Sequence, residues 1–91
     1  MPYINQEDRE YFVQELLSLA DALGRRPEEN MAGNFNYCIT RLMHSVLEAK
    51  DRVSYRDFNE MIGALECCKL EFYSEQVRPY EEVKKKQNGD V

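Results

Sequence analysis

The residues best suited to chemistry lie on one short stretch. Tyr37, Thr40, Arg41 and His44 recur at spacings of three, one and three, which puts all four on one side of a helix, with Asn36 beside them. Arg41 carries a planar fork that can give two hydrogen bonds to a phosphate or a carboxylate. Tyr37 and His44 can stack or donate, and a helix start at Gly33–Asn34 would offer free backbone N–H groups to an anion. The plainer reading is a solvated face, with Arg41 paired to Glu48 or to an acid on another helix. A second set, Tyr73, Arg78 and Tyr80, places aromatic rings beside a guanidinium, as a base and a phosphate would require. Its plainer reading is packing between subunits.

Other chemistries find little support. There is one His, no C-x-x-C and no H-x-x-x-H, so no metal site is expected. His44 has no usefully spaced nucleophile, no glycine-rich phosphate loop occurs, and paired carboxylates carry no information in an acidic chain. The expectation is a protein that is not an enzyme and needs no cofactor. A net charge of −5 disfavours coating by DNA or RNA, which needs a basic face. The three cysteines, Cys38, Cys67 and Cys68, are odd in number and two are adjacent, so they suggest small apolar filler in a reducing cytoplasm rather than a disulfide framework. No apolar run approaches a membrane span, and the first residues do not resemble a signal peptide.

The elements that must position these residues are helices. Ninety-one residues, 43% apolar and 32% charged, with few Gly and Pro, suit one all-α domain over 1–91. Asn5 is a good N-cap, with Tyr3 and Ile4 placed to fold back as a staple, and the apolar spacing of Phe12, Leu16, Leu19 and Leu23 predicts a first helix over roughly residues 6–23. Gly24 suits the left-handed position that ends it, and Arg25–Gly33 reads as a loop or a single turn around Pro27. A second helix over roughly 35–49 buries Phe35, Cys38, Ile39, Leu42, Met43, Val46 and Leu47. A short turn at Lys50–Val53 then makes a helical hairpin with a long C-terminal helix over roughly 55–86, which starts at the Ser54–Asp57 box and breaks or kinks near Pro79.

That last helix has more apolar surface than one neighbour can cover. Its apolar arc spans about 180°, against about 100° for an ordinary core stripe. Phe58, Met61, Leu65, Cys68 and Phe72 keep a 3-4-3-4 spacing suited to coiled-coil packing, and Gly63 and Cys67 mark a second side. At about 1.5 Å per residue it also outreaches the other two helices, roughly 45 Å against 25 Å. These features lead us to expect a homo-oligomeric bundle. The alternative is a final segment that folds back at Pro79.

Several stretches carry a resemblance. Met1-Pro2-Tyr3-Ile4, Asn36-Tyr37-Cys38-Ile39-Thr40-Arg41-Leu42, Asn59-Glu60-Met61-Ile62-Gly63-Ala64-Leu65-Glu66-Cys67, Lys69-Leu70-Glu71-Phe72-Tyr73, Pro79-Tyr80-Glu81 and Asn88-Gly89-Asp90-Val91 are similar to a family of short, all-helical proteins of bacteriophages and bacteria whose function is unknown. This chain departs from the pattern where Ser74-Glu75 replace basic residues and where Asn34 replaces an acid. The resemblance implies a phage setting, hence a host cytoplasm. By analogy of size and class, it also suggests a sponge that sequesters a nucleotide-derived immune signal, of cyclic nucleotide or cyclic ADP-ribose type. The alternative is a protein–protein interaction module or adaptor acting on a host or phage protein.

Overall fold

In a computed structural model the described residues are 4–91, and among them the secondary structure is helical throughout, with no strand. Five α-helices follow in order: α1 (Gln6–Arg9), α2 (Val13–Gly24), α3 (Met31–Glu48), α4 (Tyr55–Phe72) and α5 (Arg78–Asn88). A 3-10 turn (Glu28–Asn30) leads into α3, and a π-turn (Tyr73–Val77) joins α4 to α5. The chain forms two units, one ending at Asp51 and the other beginning at Arg52.

In the first unit the Asn5 cap forms as expected, its Oδ1 accepting from the Asp8 N–H at 2.9 Å. Tyr3, expected to staple this start, lies outside the described residues. The helix expected over 6–23 is interrupted. The N–H groups of Glu10, Tyr11 and Phe12 donate three residues back, to Glu7, Asp8 and Arg9, before the α-helical bond from Leu16 to Phe12 restarts the regular ladder. The cause is local. Tyr11, Phe12 and Val13 are aromatic and β-branched residues with weak helix propensity, and the Arg9 Nε donates to the Ile4 carbonyl, which tightens the first turn.

Gly24 does not take a left-handed conformation; it is the last residue of α2, and Gly89 is the one described glycine with positive φ. The chain is stopped instead by Pro27, whose φ of −56° and ψ of 139° turn it out of the helix. A second correction concerns α3, which begins at Met31 rather than near Asn34, because the turn at Glu28–Asn30 feeds straight into it. α2 and α3 approach each other, and the half-buried positions of this unit are Leu23 on α2 and Asn34, Cys38, Ile39, Met43 and Leu47 on α3.

In the second unit, Ser54 starts α4 as read from the sequence: its N–H donates to Asp57 Oδ2 at 2.8 Å. The break expected near Pro79 takes another form. Pro79 cannot donate to the carbonyl of Glu75, and its ring would crowd that oxygen. The helix absorbs this one turn earlier, where the Arg78 N–H donates to the Tyr73 carbonyl, five residues back. α5 then runs to Asn88, and Gly89, at φ 87°, ends it through an N–H bond to the Lys85 carbonyl.

No described side chain is buried. Apolar residues read as core, among them Phe12, Leu16, Phe35, Leu42, Phe58, Leu65 and Phe72, remain exposed in the single chain. Within each unit, the helices therefore carry core-type faces that the unit itself does not cover.

Candidate functional site

The polar face of α3 is partly self-satisfied. Thr40 Oγ1 donates to Asn36 Oδ1 at 3.0 Å. Arg41 donates through Nε to Ser45 Oγ at 3.2 Å and through Nη2 to both oxygens of Glu48, at 2.9 and 3.0 Å. The pairing with Glu48 is one of the two alternatives read from the sequence, and it neutralises the cation that an anionic ligand would use. The pair is about half exposed on the arginine side, so its net contribution is small, on the order of 0–1 kcal/mol. Tyr37 and His44 make no hydrogen bond or ion pair among the described residues, and Tyr37 is two-thirds exposed.

The anion cradle expected at Gly33–Asn34 is not formed. Those residues lie inside the first turns of α3, and the free N–H groups of its start follow Glu28 and Glu29, whose charge opposes an anion. Asn34 contributes another feature: its Nδ2 is shielded from solvent and has no hydrogen-bond partner.

The second set surrounds the π-turn. Tyr73 donates its hydroxyl to Glu81 Oε1 at 2.5 Å. The bond to this carboxylate, its charge and partial desolvation push the Tyr73 phenol above its ordinary pKa, while nearby Arg78 pulls it back. Residues eight apart on a plain α-helix are rotated by about 80°, but one π-turn absorbs about one residue and brings Tyr73 and Glu81 onto one line. Tyr80 is engaged elsewhere, with Lys84 Nζ 5.5 Å from its ring centroid. Arg78 makes no ion pair or hydrogen bond through its guanidinium among the described residues, although it lies close enough to Tyr73 to act on its charge. Tyr73 and Arg78 are thus brought together, and Tyr80 pairs with a lysine.

Sequence reasoning missed Glu81 and Lys84, the partners of the two tyrosines. The signal for Lys84 was an ordinary spacing of four; that for Glu81 depended on the π-turn. It also missed Glu75, whose carboxyl is pushed above its ordinary pKa by a hydrogen bond to Glu71, by the Glu71 charge and by slight desolvation. The recesses on the surface are shallow, such as those lined by Gln14, Glu15, Ser18 and Leu19 or by Glu81, Lys84 and Asn88. No group of three or more His, Cys, Asp or Glu among the described residues is arranged to hold a metal ion, and no described helix is long and apolar enough to cross a membrane. All three cysteines are free thiols, Cys38 half-buried and Cys67 and Cys68 exposed.

The fold and these faces define a small all-α protein with outward apolar stripes and a few unengaged polar side chains. The chain belongs to the family described as a domain of unknown function, DUF6899, which it matches over residues 1–91. No curated protein and no solved structure matches it.

Proposed function

We propose that this protein is a non-enzymatic binder that assembles with copies of itself and sequesters a small nucleotide-derived signal, of cyclic nucleotide or cyclic ADP-ribose type. The observation that carries this reading is that no described side chain is buried and that most core-type side chains, Phe12, Leu16, Phe35, Leu42, Phe58 and Phe72 among them, stay exposed. Such faces are covered by association, and small-ligand pockets commonly form where subunits meet. In the second unit Arg78 supplies a cation beside Tyr73 for a phosphate; in the first, taken by itself, Tyr37 and His44 supply unengaged rings. Within the first unit, Arg41 becomes available beside Tyr37 and His44 by exchanging Glu48 for a phosphate, which is feasible because an exposed pair holds weakly.

Titration calorimetry of the full chain against cyclic dinucleotides and cyclic ADP-ribose isomers tests the proposal. We expect saturable binding to one of these classes and recovery of intact ligand after heating. Absence of binding to all of them at micromolar protein sinks it, and recovery of a hydrolysed ligand would make the protein an enzyme. A second reading, a protein-interaction module, draws on exposed Phe35, Leu42 and Val46 along α3. A stoichiometric protein partner that displaces no nucleotide favours that reading.

A further inference from the structure

We propose that the segment from Tyr55 to Asn88 is one continuous heptad seam that pairs antiparallel with the same segment of a second copy, and that the π-turn keeps this seam in register. The proposal does not depend on any ligand.

The first support is area. The chain exposes 8587 Å². Two separate globules of half its 10.8 kDa expose about 6,700 Å² together. The excess over two such units, about 1,900 Å² per chain, is on the scale of interfaces between subunits. Within its own unit the 55–88 segment has no second element to pack on, and Phe58, Leu65 and Phe72 remain 46%, 40% and 62% exposed.

The second support is register. Phe58, Leu65 and Phe72 are seven apart, with Met61 and Cys68 between them at a 3-4 spacing. In an uninterrupted helix the next heptad positions after Phe72 would be Glu75, Pro79 and Glu82, none of them suited to a seam. The π-turn at Tyr73–Val77 absorbs one residue, so Gln76, Tyr80 and Val83 take those places. The apolar stripe then drifts steadily by about 20° per heptad, the pattern of a left-handed supercoil. Without the π-turn Tyr80 would stand about 100° away from that line.

The third support sets direction. Between Tyr55 and Val77 there are five acids and two bases; from Arg78 to Lys86 there are four bases and two acids. A parallel pair would set like charge beside like. An antiparallel pair sets Lys84–Lys86 near Asp57 and the Arg56–Glu60 pair of the partner's α4 instead of against another lysine run, and matches Phe58 with Val83, Met61 with Tyr80 and Cys68 with Phe72 across the axis.

Two measurements test this. In a variant with Cys38→Ala, Cys67→Ser, Cys68→Ala and Lys85→Cys, a spin label at residue 85 should report a distance of roughly 45 Å between copies, because the labels sit near opposite ends of the pair. A distance of about 10–20 Å, as for adjacent parallel helices, overturns the proposal; so does a signal from isolated spins only. Replacing Lys84, Lys85 and Lys86 together by Glu keeps every seam residue in the sequence but sets acid against acid, and Lys85→Glu with Lys86→Glu alone, which spares the Lys84–Tyr80 contact, should act in the same direction. The triple replacement should weaken self-association about tenfold or more at low ionic strength, with little effect at high salt. Unchanged association at low salt contradicts the antiparallel arrangement even if the labelled variant fails to fold.

Discussion

Tyr73 and Glu75 stand two residues apart in the π-turn, and the protons of both are held more tightly than usual. The Tyr73 hydroxyl is held by the Glu81 carboxylate, and its pKa is raised. A raised pKa means that the stabilisation is complete below the ordinary phenol value and is lost as pH rises through the higher folded value. In an alkaline titration followed by phenolate absorbance, one of the six tyrosines should therefore ionise late, and Glu81→Gln should return it to the others. Simultaneous ionisation of all six in the parent protein would show that the bond is not held in solution. Glu75 is also raised, here by hydrogen bonding to Glu71. Its contribution is complete below the ordinary carboxyl range and is lost as pH climbs through its folded pKa, when two like charges face each other one turn apart. Helicity by circular dichroism should thus rise on mild acidification, and Glu75→Gln should raise it at neutral pH and flatten the acid response. The polar set around Arg41 was legible in the sequence as far as its helical spacing, including the pairing with Glu48. Tyr73–Glu81 was not, because its alignment depends on a π-turn that no local pattern announces.

At the scale of elements, Pro79 and Gly63 make separable predictions. Pro79→Ala restores the missing N–H donor and removes the clash with the Glu75 carbonyl, so the π-turn can revert to regular helix. Helicity should rise while self-association weakens, since Tyr80 and Val83 rotate about 100° off the seam. Association that is unchanged or stronger would show that the π-turn does not set the register. Gly63 sits inside α4, where a Cβ would meet nothing within 4 Å in the chain. Gly63→Ala should stabilise by about 0.5–1 kcal/mol through helix propensity alone, with an unchanged assembly mass. A loss of stability in thermal melts would instead reveal a close-packed partner on that side. The clear caps were readable: Asn5, Ser54 with Asp57, and the Asn88–Gly89 ending all behave as their side chains dictate. The errors fell where propensity and spacing disagree. The apolar spacing of Phe12, Leu16 and Leu19 implied a helix straight through Tyr11–Val13, but the weak propensity of those residues interrupts it. Gly33 looked like loop and lies in a helix, because the turn after Pro27 starts α3 early.

At the scale of the whole molecule, the proposed self-association would supply the apolar burial that the described side chains lack. A chain with no buried described side chain gains little of the apolar burial that offsets the entropy of ordering. If the proposed self-association holds, folding and association are one process, and the midpoint of thermal unfolding should rise with protein concentration. The most direct test of this central claim is the mass of the full chain in solution, by sedimentation or light scattering at micromolar concentration. The account predicts twice the 10.8 kDa chain, or an even multiple of it, with helical signal and mass lost together on dilution. A helical, cooperatively unfolding monomer whose melting does not change with concentration would contradict it.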